Sequence, residues 1–179
     1  MKNNLLKLSI AVARFILVLD IFLAVLLVFF MIAWQIDVSI FDSIKMVNDS
    51  SVFKFQTSPS AEGIPLSDYG NFYFYFTCLK ALIITGIIYL VLKIAIRIVR
   101  SISSIETFRI ENVKSFRKMG KLFLLWFGIG LVSIKEIESS MRLITELNLQ
   151  YAIWALICFI LAEIFSEGNK LQEDHKLTI

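Results

Sequence analysis

The hydrophobic residues of this chain are gathered into four long blocks that alternate with polar connections. The blocks cover about residues 11–36, 72–96, 119–140 and 149–166. Each is close to the ~20 apolar residues that a helix needs to cross a hydrocarbon core ~30 Å thick. The pattern therefore predicts an all-α protein with a single transmembrane domain, built as a membrane-embedded four-helix bundle.

The third block has the shortest apolar run. Only thirteen uncharged residues lie between Lys121 and Lys135, and as a helix they reach only ~20 Å. Both lysines can extend their charged ends toward water and so lengthen the effective span. Ile134, Ile137 and Met141 continue at helical spacing. We therefore expect the third helix to run past Lys135 to about residue 140.

The basic residues are sorted unevenly between the connections. Eight of the eighteen Lys and Arg residues lie between Lys93 and Lys121. With both termini in the cytoplasm, thirteen basic residues lie inside and four outside, which is the asymmetry that membrane proteins favour. The sequence thus predicts a cytoplasmic connection over residues 97–118, a cytoplasmic tail over 167–179 and a first external loop of about 35 residues.

Composition and residue types argue against several classes of function. The chain is 58% hydrophobic, whereas soluble domains are typically ~45–50% apolar. Its net charge of +3 is too small to indicate direct nucleic-acid binding. Cys78 and Cys158 fall within spans and His175 is the only histidine, so no spacing predicts a metal site, a cofactor or a nucleophile–base pair. We expect a protein that is not an enzyme.

Three ionisable residues, Asp20, Lys80 and Glu163, fall inside the predicted spans. A charge at mid-bilayer costs ~2.5–3.5 kcal/mol, so each needs a partner or water. Counting residues from the span ends predicts an Asp20–Lys80 pair, and places Glu163 level with Arg14 and Lys93, either of which could neutralise it. Such charges either fix helix register or carry a proton or cation in a small ion-coupled transporter.

The basic connection and the tail have their own local patterns. Ser103 or Ser104 is expected to cap a helix whose apolar stripe consists of Ile105, Phe108, Val113, Phe116 and Met119. Such a helix would lie on anionic headgroups, extend the third span or dock a cytosolic partner. Gly168 is expected to end the fourth helix. Three glycines predict close helix packing within the spans: Gly86, Gly128 and Gly130.

Two stretches carry a family resemblance. The connection contains Thr107-Phe108-x-x-Glu111-Asn112-Val113-Lys114-x-x-Arg117-x-x-Gly120. The C-terminus reads Leu161-Ala162-Glu163-Ile164-Phe165-x-x-Gly168-x-x-Leu171-Gln172-Glu173-Asp174-x-x-Leu177-Thr178-Ile179. Together they resemble a family of small bacterial membrane proteins with four predicted spans, catalogued as domain of unknown function 2975. The resemblance implies a multi-pass protein of the bacterial cytoplasmic (inner) membrane.

Members of that family are often encoded beside a very small helix-turn-helix DNA-binding protein. The resemblance therefore implies that the membrane protein binds and restrains this regulator. We expect the two motifs to pack into one cytoplasmic cap, which either closes the bundle or docks the partner. Its candidate residues are Glu111, Asn112, Lys114, Arg117, Gly168, Leu171, Asp174, Leu177 and Ile179. Glu111 and Asn112 are expected to cap exposed backbone, and the three aliphatic residues to act as apolar anchors. The sequence leaves open whether the chain forms a homo-oligomer.

Overall fold

The protein is predominantly helical. The computed structural model describes residues 2–47, 54–56, 64–65, 70–103, 109–137, 140–145 and 147–177. Most of them belong to four helices: α1 (Lys2–Ile36), α2 (Asn71–Ser103), α3 (Ile110–Leu131) and α4 (Leu149–Leu177). The all-α class is confirmed.

Three of the helices are long and apolar enough to cross a membrane. The qualifying stretches are Asn4–Ile36 in α1, Asn71–Ile102 in α2 and Leu149–Asp174 in α4. Their large apolar side chains are widely exposed, as Phe15 and Phe22 of α1 illustrate. Continuous apolar surface of this kind requires an apolar environment. The three helices thus indicate a membrane protein.

The expectation that α3 continues to residue 140 is wrong. The helix ends at Leu131, and an antiparallel hairpin follows, with strands β4 (Val132–Ile137) and β5 (Ser140–Thr145). Val132 already has extended backbone angles, φ −95° and ψ 110°. Two features favour this end: β-branched Val132 and Ile134 suit a strand, and the Lys80 ammonium donates to the Val132 carbonyl at 2.7 Å, where a cation stabilises a helix C-terminus.

The connection between α1 and α2 begins with a short 3-10 helix (Val38–Phe41). The Ser39 N–H donates to the Asp37 carboxylate at 2.9 Å, and the hydrogen bonds from Ser39 lower the pKa of Asp37. Three short strands follow in the spatial order β2-β1-β3: β1 (Lys45–Val47), β2 (Lys54–Gln56) and β3 (Ile64–Pro65). A small antiparallel sheet therefore occupies the longest predicted loop.

Each helix packs against its neighbours in the sequence, α1 on α2, α2 on α3 and α3 on α4. Two buried cores hold these contacts together. The first, here called the aromatic cluster, consists of Trp34, Phe41, Phe74 and Cys78. The second, here called the helix junction, consists of Ile94, Ile98, Val113, Phe116 and Ala162. Twenty residues of α2 separate Phe74 from Ile94, about 30 Å along the helix axis. The cores therefore lie one hydrocarbon thickness apart.

Candidate functional site: the helix junction and the exposed end of α4

The first half of α3 is amphipathic, and its buried side forms one wall of the helix junction. The buried residues are Asn112, Val113, Ser115, Phe116 and Gly120. The exposed residues of the same turns carry charge: Glu111, Lys114, Arg117, Lys118 and Lys121. Ile105 and Phe108 of the predicted stripe lie outside the described residues.

The start of α3 differs from the expectation. Its N-cap is Arg109, which makes no side-chain cap hydrogen bond. Ser103 is instead the last residue of α2, and Ser104 lies outside the described residues. The exposed carboxylate of Glu111 lies 3.9 Å from the Arg109 Nε. An acidic side chain in the first turn complements the positive end of the helix dipole.

Asn112 links α3 to α2 through its side chain. It is only 2% exposed, and its amide donates to the Ser101 hydroxyl at 3.0 Å. A buried amide needs such a partner, because an unpaired one would forfeit its hydration without compensation. This hydrogen bond therefore joins α3 to α2, and no pattern in the sequence indicated Ser101 as the partner of Asn112.

Gly120 allows α3 to approach α4 closely. A Cβ atom at this position would lie 2.7 Å from the Phe159 ring. Nearby, the rings of Phe116 and Phe165 lie 5.0 Å apart in a tilted arrangement, and Ala162 is almost fully buried. The Glu-Asn-Val-Lys segment and the start of the C-terminal motif thus meet at the helix junction.

The glycines that were expected to mark close packing do not do so. A Cβ atom at Gly86, Gly128 or Gly130 would have nothing within 4 Å. Gly120, which was not predicted to serve this purpose, is the position where a side chain would clash. The distinguishing signal is the bulky Phe159 on the facing helix, which spacing within one helix cannot reveal.

Glu163 pairs with Arg117 rather than with Arg14 or Lys93. The Arg117 Nη2 and the Glu163 Oε2 lie 3.6 Å apart. Both side chains are largely exposed, 56% and 66%, so this bridge adds little stability. The bridge instead places Arg117, a predicted cap residue on α3, beside the acidic face of α4. Lys114 is exposed on the same side of α3 as Arg117.

Gly168 does not end the fourth helix, which continues to Leu177. Two side-chain contacts between successive turns support the extension: Lys170 with Glu167 at 2.6 Å, and Asn169 with Glu173 at 3.0 Å. The hydrogen bond and negative charge of Glu167 raise the pKa of Lys170.

Leu171, a predicted apolar anchor, is 69% exposed and so is not buried against the described part of the bundle. Asp174 is exposed one turn further on. Leu177 is the last helical residue; its side chain and Ile179 lie outside what the structure describes. One face of α4 forms a shallow groove of alternating apolar and acidic side chains, lined by Ile160, Glu163, Ile164, Glu167, Gly168 and Leu171.

The structure does not join Asp20 to Lys80. Trp34 stacks on Phe74, which sets the register of α1 against α2. Asp20 lies fourteen residues from Trp34, about 21 Å along the axis, whereas Lys80 lies six residues from Phe74, about 9 Å. The two groups are therefore offset by about 12 Å. Asp20 is 6% exposed, and Lys80 donates to Val132 and to the Ser133 hydroxyl.

Among the described residues, no group of three or more His, Cys, Asp and Glu side chains is arranged to hold a metal ion. The described geometry thus offers packed helices, a buried amide link and an exposed acidic–apolar helix face.

No curated protein and no solved structure matches the chain. A family model described as "Protein of unknown function (DUF2975)" matches residues 60–179. This region begins in the loop before α2 and includes the helix junction and the whole of α4. The chain belongs to the DUF2975 family.

Proposed function

We propose that this protein is a non-enzymatic regulatory protein of the bacterial inner membrane, and that its cytoplasmic cap binds a small helix-turn-helix DNA-binding protein. The main support is the extension of α4 to Leu177, well beyond the helix junction. The extension carries exposed apolar and acidic side chains that the described part of the chain does not cover.

The chemistry of this α4 face suits a basic partner. Ile164 and Leu171 are exposed and lie on the same groove as Glu163 and Glu167. Proteins that bind DNA carry basic surfaces that contact phosphates. An acidic helix with apolar contacts can therefore cover such a surface, and a regulator held at the membrane is withdrawn from its operator by mass action.

The proposed sidedness follows from the distribution of basic residues. With four crossings and α4 ending in the cytoplasm, thirteen basic residues lie inside and four outside. This orientation puts the exposed end of α4 in the compartment where a DNA-binding protein is found. The basic face of α3, with Lys114 and Arg117, lies beside it in the same compartment.

The direct test is a binding titration of the full-length protein in detergent against a small helix-turn-helix DNA-binding protein of the kind often encoded beside members of the family. Leu171→Ala should weaken binding about tenfold, because an apolar contact at the centre of such an interface is worth more than ~1 kcal/mol. Gln172→Ala is the matched control, since Gln172 is the next exposed residue of α4. No complex at micromolar concentration, or equal losses in both variants, would refute the proposal.

A second candidate is a small ion-coupled transporter that uses Asp20. It is favoured by one observation: Asp20 is a carboxylate only 6% exposed in the middle of an apolar helix. Buried ionisable groups at this depth commonly mark ion pathways. If Asp20 carries the ion, Asp20→Asn in proteoliposomes should abolish coupled flux; flux that persists in the variant removes Asp20 from the mechanism.

A further inference from the structure

An open groove runs along one side of the α2–α3 contact. Phe76, Leu79 and Ile83 of α2 form one wall, and Leu124, Gly128 and Ile129 of α3 form the other. Gly128 leaves the groove unobstructed, because a Cβ atom there would meet nothing within 4 Å. The lining is almost wholly apolar, so the groove suits a hydrocarbon chain rather than a polar solute.

The groove has a charged residue at each end. At one end, Lys80 of α2 donates to the Val132 carbonyl of α3, which bridges the two walls. At the other, the exposed side of α3 continues into Lys121, Lys118 and Lys114. Eleven residues separate Lys121 from Val132, about 16 Å along α3. That length is close to the depth of one leaflet, half of a ~30 Å core.

We propose that this groove binds one anionic phospholipid, with an acyl chain along α2 and α3 and the headgroup phosphate on Lys118 and Lys121. Charge complementarity identifies the occupant: beyond the open end of the apolar groove, α3 carries Lys114, Lys118 and Lys121 with no acidic residue between them, and Glu111 lies one turn before Lys114. A neutral lipid would fill the groove but leave those lysines without an anionic contact. The site is separate from the α4 face proposed to bind the regulator.

The test compares phosphatidylglycerol with phosphatidylcholine of the same acyl chains, titrated into delipidated full-length protein and followed by native mass spectrometry. The wild type should retain one phosphatidylglycerol more tightly than phosphatidylcholine. Changing both Lys118 and Lys121 to Gln should weaken phosphatidylglycerol binding about 30-fold, because each basic residue near a lipid surface contributes about a factor of five. The matched control changes Lys93 and Arg97 to Gln, two exposed basic residues on α2, and should leave the preference unchanged.

A second pair of variants tests the groove itself. Gly128→Leu places a side chain where the acyl chain would lie and should weaken binding of both lipids about tenfold. Gly86→Leu is the control, since Gly86 also has nothing within 4 Å but does not line the groove. Gly128→Ala gives a smaller loss in the same direction and keeps the test usable if the leucine variant misfolds.

Three outcomes would overturn the proposal. Equal binding of the two lipids would show that Lys118 and Lys121 do not recognise an anionic headgroup. Unchanged binding in Gly128→Leu and Gly128→Ala would show that the acyl chain does not lie in the groove. Loss of a dimer, rather than of bound lipid, in the Gly128 variants identifies a second copy of the chain as the occupant.

Discussion

The aromatic cluster and the helix junction hold helices together with different kinds of side chain. The aromatic cluster joins α1, the following 3-10 helix and the start of α2. It uses large rings, with Trp34 stacked on Phe74 at 3.9 Å and bound to Asn71 through its indole N–H at 3.0 Å. The helix junction joins α2, α3 and α4 and depends on a glycine, an alanine and a buried amide.

The two cores therefore have different roles: one contributes mainly to the stability of the protein, and the other fixes the position of α4. Rings bury a large apolar area, so the aromatic cluster contributes mainly to stability and to the register of α1 against α2. A glycine contact and a buried hydrogen bond are satisfied at only one helix spacing, so the helix junction fixes where α4 lies. We therefore expect damage to the helix junction to alter the exposed end of α4, and damage to the aromatic cluster to leave it unchanged.

Trp34→Ala should give the largest loss of stability. It removes the ring stack and the hydrogen bond to Asn71, and large-to-small changes at buried aromatic positions cost ~3–5 kcal/mol. Unfolding in detergent measures the loss. Trp34→Phe keeps an aromatic ring but removes the indole N–H, so it measures the contribution of the hydrogen bond to Asn71. Regulator binding by the folded fraction of Trp34→Ala should match the wild type; a parallel loss of binding would contradict the separation of roles.

Asn112→Leu should cost ~1–3 kcal/mol, because it removes a buried amide and leaves the half-buried Ser101 hydroxyl without its amide partner. In contrast to Trp34→Ala, it should also weaken regulator binding by the folded protein. Ser101→Ala and the double variant complete a mutant cycle that isolates the contact. Additive losses in the cycle would show that the two side chains do not interact in solution.

Gly120→Ala should cost ~1–3 kcal/mol through overpacking against Phe159. Gly130→Ala, where the added methyl meets nothing within 4 Å, is the control and should be neutral or slightly stabilising. Combining Gly120→Ala with Phe159→Leu should recover part of the loss. Equal stability of Gly120→Ala and Gly130→Ala would show that α3 and α4 are not in close contact at this point.

The smallest effect should come from the Glu167–Lys170 contact at the exposed end of α4. Glu167 raises the pKa of Lys170, so the contact stabilises the helix below the ordinary pKa of a lysine and is lost as the pH rises through the raised value. Helix content of α4, followed by amide exchange between pH 9 and 12, should fall slightly in the wild type. Lys170→Met should remove this pH dependence without changing the helix junction.

The helices that consist of long apolar runs were predicted from the sequence. The features that depend on contacts between helices were not. The blocks that became α1, α2 and α4 were readily recognised because length and hydropathy alone identify them. The end of α3 was missed because Ile134, Ile137 and Met141 fit a helix by spacing, while the Lys80 contact that stabilises the helix end comes from another helix. The prediction of an Asp20–Lys80 pair was wrong for a related reason. It counted residues from the ends of the apolar blocks, which do not reveal the register that the Trp34–Phe74 stack imposes on α1 and α2.

The candidate site was predictable in part. The motifs on α3 and α4 identified two segments that meet, but the burial of Asn112 with its bond to Ser101 and the exposure of Leu171 were not predicted. A buried amide inside an apolar stripe resembles an exposed one until its partner is known. A leucine beyond a glycine suggests a chain that folds back, whereas the Glu167–Lys170 contact across Gly168 instead supports the helix.

The early end of α3 has a consequence for how this helix relates to its neighbours. Its uncharged stretch, residues 122–131, is about 15 Å long, half of an ordinary hydrocarbon core. This length matches one leaflet, and α3 is not among the three helices that are long and apolar enough to cross a membrane. The hydrogen bond from Lys80 to the Val132 carbonyl therefore ties the end of a short helix to the side of a longer one that can cross.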